Sequence, residues 1–165
     1  MLMVSACSPG VAGEEAGDRW HRLLAAHAAV IEGCERVVLS RARTDPMAAA
    51  TERPPAALLE AAGFQKFEGR PLDLSEEEVR RVRDLLRNEK HYSWSTVSPA
   101  VSRLPPVFLI LRRGEDARVV GIDLEHSTLS VSAGTPALAS VRLTLSETGV
   151  SSWRAFLDGL LPKMR

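Results

Sequence analysis

The chain has 165 residues, enough for one domain that buries roughly 70% of the surface its unfolded form exposes. Hydrophobic residues make up 45% and charged residues 25%, which excludes the compositions of disordered and fibrous chains. Lys plus Arg and Asp plus Glu both number 21, so the basic excess of a nucleic-acid binder is missing, and no apolar stretch nears the about 20 residues a spanning helix needs.

The N-terminus reads Met1-Leu-Met-Val-Ser-Ala-Cys7. Val4-Ser5-Ala6-Cys7 resembles the lipobox of bacterial lipoproteins: an aliphatic residue, two small ones, then the cysteine that receives diacylglycerol. A polar, glycine-containing stretch, Ser8 to Gly17, follows as a tether would. The resemblance implies lipidation at Cys7 and residence in the cell envelope, facing the periplasm or exterior. A diacylglyceryl cysteine with its N-acyl chain meets the need for more than one chain in stable anchoring. A signal peptide also has a basic segment and an apolar run of about 7–15 residues. Too little precedes Val4 for either, so the lipobox reading predicts further residues upstream of Met1. If Met1 is the true start, the expectation becomes a cytosolic interaction module. Residues 1–17 are thus read as signal remnant and tether, and 18–165 as a single α+β domain.

From Asp18, Trp20, Leu24, His27 and Ile31 recur on one helical face as far as Gly33, with Asp18 as N-cap. Cys34 to Arg41 then reads as a strand on its β-branched Val37-Val38 pair, the alternative being a helix that runs through Gly33 to Ser40. Cys34 is expected as a small buried filler. Arg43 to Pro55 reads as loop, Pro55 to Ala62 as two helical turns, and Phe64 to Phe67 as a short edge strand.

Ser75 to Asn88 carries a full set of helix signals. Ser75 and Glu78 form a capping box, Leu74 and Val79 a hydrophobic staple, and Val79, Val82, Leu85 and Leu86 the apolar stripe. Arg80, Arg81, Arg83 and Arg87 are read as a solvated face, since acids flank them. Tyr92 and Trp94 are expected to pack over the end of this helix. The helix opened by Leu74-Ser75-Glu76-Glu77, the Tyr92-Ser93-Trp94 that follows, a hairpin and a closing helix are together similar to small bacterial exported proteins. Those tend to carry extra cysteines between the Trp and the hairpin, which this chain lacks, and the resemblance implies no activity.

Pro106–Arg113, Ala117–Glu125 and His126–Ala133 predict a three-stranded antiparallel meander, joined first by the polar Gly114-Glu115-Asp116 turn. Gly134-Thr135-Pro136 turns the chain and Val141 to Ser146 alternates as a last strand. Ser146 or Thr148 then caps a helix whose apolar face holds Val150, Trp153, Phe156, Leu157, Leu160 and Leu161. The fold expected is α+β: an antiparallel sheet of about four to five strands with helices packed on one face.

Chemistry-bearing patterns are sparse. His21 and His27 lack the i,i+4 spacing of a zinc pair, and no phosphate loop, dinucleotide fingerprint or nucleophile elbow is present. Asp123 and Glu125 are expected on one strand face with His126 just beyond and His91 in a loop, a carboxylate–histidine set that a metal-dependent enzyme or small hydrolase would use. Exposed polar residues on the outer face of a strand are the simpler reading. The leading expectation is therefore a membrane-tethered, non-enzymatic envelope protein with no cofactor. It binds an envelope protein or component through the open sheet face or the loops Arg43–Pro54 and Glu89–Pro105.

Overall fold

The computed structural model describes residues 16–42, 67–94, 107–133 and 141–164. Cys7 and residues 8–15 of its tether, the loop and short helix between 43 and 62, and the Gly134-Thr135-Pro136 turn lie outside the described residues; α1 includes Ala16 and Gly17, so Asp18 lies inside the helix rather than at its N-cap. In chain order the elements are α1 (Ala16–Gly33), β1 (Arg36–Ala42), β2 (Phe67–Asp73), α2 (Glu76–Arg87), a 3₁₀ turn (Glu89–His91), β3 (Val107–Arg113), β4 (Asp116–Asp123), β5 (Thr128–Ser132), β6 (Val141–Thr144), α3 (Glu147–Leu160) and a closing 3₁₀ turn (Leu161–Met164). The strands form one six-stranded sheet in the order β2-β1-β3-β4-β5-β6, with every neighbouring pair antiparallel. The fold is α+β, as the sequence predicts, with a sheet one strand wider than expected.

The additional width comes from β2, which includes Phe67, the last residue of the short edge strand read at Phe64–Phe67, and runs on to Asp73; residues 64–66 lie outside the described residues. Its residues, Phe-Glu-Gly-Arg-Pro-Leu-Asp, lack the alternation of a strand and include Gly69 and Pro71. Proline cannot donate to a ladder, so it is tolerated here because β2 is the sheet edge. Between the pairs Leu39–Leu72 and Arg41–Glu68 the register shifts, with Gly69, Arg70 and Pro71 of β2 standing opposite Ser40 alone, so the irregularity falls on the edge strand itself.

Side chains alternate across the sheet, and the two faces differ. Val37, Leu39, Leu109, Leu111, Val120, Ile122, Leu129, Val131 and Leu143 point to the first face, where they join Leu24 and Ile31 of α1, Val82 and Leu86 of α2, and Trp153 and Leu157 of α3. All three described helices bury their stripes there. The second face carries a smaller cluster of Phe108, Ile110 and Val119, with Val38 against it. That face was expected to be open, yet Phe108, Ile110 and Val119 are buried, and so is Ser40 beside them. β3 explains why: Val-Phe-Leu-Ile-Leu is a continuous apolar run buried on both sides, the pattern of a central strand rather than a half-exposed one.

The helices are held in recognisable ways. Ser75 caps α2, its Oγ accepting from Glu78 N–H at 3.4 Å while the Glu78 carboxylate accepts from Ser75 N–H at 2.8 Å. Ser146, not Thr148, caps α3. α1 has no basic residue in its last turn. Guanidinium groups from elsewhere meet its carbonyls instead: Arg113 donates to Ala29 at 3.0 Å, Arg118 to Ala26 at 3.3 Å and Arg83 to Glu32 at 3.4 Å. These cations sit toward the negative end of the helix dipole, and Gly33 leaves room for the Arg113 side chain to cross the helix terminus. Cys34, directly after α1, is buried as expected, and burial pushes its thiol pKa up against the opposing charge of Arg83.

Candidate functional site

Three of the four residues proposed from sequence as a metal set come together: ligand atoms of Asp123, Glu125 and His126 lie within 4.8 Å of one another. Their setting differs from the one expected. β4 ends at Asp123, so Glu125 occupies the β4–β5 turn rather than a strand face, and His126 follows it in the same turn. Asp123 is the organiser of that turn. Its Oδ1 accepts from the backbone N–H of Glu125 and of His126, both at 3.1 Å, and its Oδ2 accepts from His126 Nδ1 at 2.8 Å. An aspartate that accepts from the amides two and three residues on makes the side chain a substitute for a backbone turn. The chain then passes through Ser127 at φ 53°, and Ser127 C=O accepts from Leu145 N–H at 2.7 Å, fixing the turn to the end of β6.

The carboxylate of Asp123 is buried, its side chain 5% exposed, while His126 is 35% exposed. A buried carboxylate that holds Nδ1–H leaves Nε2 as the histidine's remaining lone pair, the arrangement in which carboxylates orient histidine ligands. Because Nδ1 is engaged, a metal would have to take Nε2.

His91 does not belong to this group, and the four-residue constellation is corrected to three. Its ring is buried at the junction of α2 and α3. Nδ1 faces the Leu85 carbonyl at 3.0 Å and so donates to it; Nε2 lies 3.1 Å from Asn88 Nδ2 and accepts from it. The Asn88 amide is oriented by its Oδ1, which accepts from Lys90 N–H. With both nitrogens committed, His91 ties off the last turn of α2 and offers no lone pair to a ligand. The His91 carbonyl accepts from Ser146 N–H at 2.8 Å, and Ser146 Oγ donates to the Lys90 carbonyl at 2.6 Å.

The described part of the Glu89–Pro105 loop is likewise structural. Tyr92 is buried, donates through Oη to the Leu86 carbonyl at 2.7 Å, and pairs with Trp94 at 5.5 Å between ring centroids. Both aromatics thus pack over the end of α2, as the sequence predicts. Tyr92 also forms a bridge to Leu145, lengthening the sheet beside β6.

One surface feature had no signal in the sequence. Between α2 and α3 lies a groove of about 300 Å³ lined by residues that include Glu77, Arg81, Phe156, Gly159 and Lys163. Arg81 sits over the Phe156 ring at 5.9 Å, and Lys163 pairs with Glu78 at 2.9 Å. Arg80, Arg81 and Arg87 of α2 are exposed, as the sequence predicts, although Arg81 also lies over Phe156, while Arg83 is half-buried and reaches the end of α1. Only the spacing of Arg81 and Arg83 on α2 was visible in the sequence; their partners are far along the chain.

No described helix is long and apolar enough to cross a membrane. No protein-family model matches this sequence, and no curated protein matches it. Among solved structures, the fold is similar to that of a protein named "Putative Lipoprotein from Clostridium perfringens", with a TM-score of 0.53 over 87% of this chain and 96% of that one. Identity between the two is 9%, so the likeness is one of fold.

Proposed function

We propose that this chain is a lipid-anchored protein of the bacterial cell envelope, modified at Cys7, whose folded part serves as a binding module for an envelope protein or component. The observation that carries the reading is the Val4-Ser5-Ala6-Cys7 box placed directly before a polar tether. The likeness of the folded part to a protein whose name includes the word lipoprotein supports it independently. A binding role rather than catalysis is favoured by what the polar residues do: His91 and Asp123 spend their hydrogen bonds on the protein's own turns and helix ends.

The test is to express the gene with its native upstream region and measure the intact mass and detergent-phase partition of the product. A mass beginning at triacylated Cys7, with partition lost in Cys7→Ala, is the expected result. A product that begins at Met1 and stays in the aqueous phase overturns the anchor.

The convergence of Asp123, Glu125 and His126 favours a second reading, in which the β4–β5 turn holds a divalent transition-metal ion through His126 Nε2 and Glu125. Zinc titration by calorimetry decides it. Saturable binding lost in His126→Ala supports the reading, and equal heats for both proteins dismiss it.

A further inference from the structure

We draw no further inference here: the strongest candidate, the groove between α2 and α3 lined by Glu77, Arg81, Phe156, Gly159 and Lys163, presents opposed charges, and nothing in the structure shows what occupies it.

Discussion

His91 and His126 are the same side chain in two opposite employments. His91 is 6% exposed, and both of its ring nitrogens meet groups within six residues of it. His126 stands in a turn with one nitrogen held by a buried carboxylate. The first is a bracket, joining the end of α2 to the start of α3. The second is oriented rather than consumed. A histidine near acids in a sequence therefore says little until the destination of each ring nitrogen is known, because a committed nitrogen removes the lone pair on which ligand chemistry depends.

The largest expected effect tests how tight the bracket is. A Cβ built on Gly149 would lie 2.1 Å from the His91 carbonyl oxygen, so Gly149→Ala forces backbone apart rather than a side chain aside. The movement would strain the Ser146 N–H bond to that same oxygen. Loss of about 3 kcal/mol or more is expected in urea unfolding. Gly159→Ala, ten residues on in the same helix, meets nothing within 4 Å and should stabilise by about 0.5–1 kcal/mol through helix propensity. Similar midpoints for the two variants would mean that α3 does not dock closely against the His91 turn.

Next in size, His91→Ala leaves the Leu85 carbonyl and the Asn88 amide without their ring partner and opens space in a buried junction. About 2–3 kcal/mol of destabilisation is expected, read as a shift in the urea midpoint at constant slope. A shift under about 0.5 kcal/mol would show that water replaces the ring, and the bracket account would fail.

The turn should respond differently. Asp123→Ala removes the acceptor of two backbone amides and the partner of His126, with an expected cost of about 1–3 kcal/mol. Asp123→Asn keeps an acceptor for the amides and should cost less. His126→Ala, at a partly exposed pair, should cost about 0–1 kcal/mol. Amide exchange separates these cases, since only loss of the Asp123 acceptor should speed exchange at both Glu125 and His126. Faster exchange at both in His126→Ala would make the histidine, not the aspartate, the organiser.

How far these features could be read in advance depended on the range of the interactions that make them. The start of α2 was legible because a capping box and staple are complete within six residues, Leu74 to Val79. The alternation in β5 was legible for the same reason, as Leu129 and Val131 announce one face and Ser130 and Ser132 the other. Of β2 only Phe67 fell within the edge strand read at Phe64–Phe67: Gly69 and Pro71 look like breakers until the strand is known to lie at an edge. The reading of β4 ran past Asp123 into the turn, because the Asx-type bonds that end the strand leave only a weak local mark. The arginine contacts on α1 join residues 51, 84 and 92 apart and have no sequence signature at all. The second sheet face was misread from the meander alone, although the unbroken apolar run of β3 already argued for burial on both sides.

The smallest effect concerns the end of α2 remote from His91, and it shows whether that helix is secured at both ends. Glu78 accepts from Ser75 N–H and pairs with Lys163, and these two interactions, in that order, hold its carboxyl pKa below its ordinary value. A carboxylate with a lowered folded-state pKa binds fewer protons when folded than when unfolded. Its contribution is therefore complete above the unfolded value and fades as pH falls through the folded one. Stability of the wild type should decline across that acid window by more than stability of Glu78→Gln, the excess being a few tenths of a kcal/mol because the site is open to solvent on the Lys163 side. Lys163→Met should remove part of that excess and leave the part due to Ser75. Parallel acid limbs in wild type and Glu78→Gln would mean that the capping box adds nothing through charge. The bracket at His91 would then be the principal restraint on α2, and the contrast between the two ends of that helix would be sharper than the hydrogen bonds alone suggest.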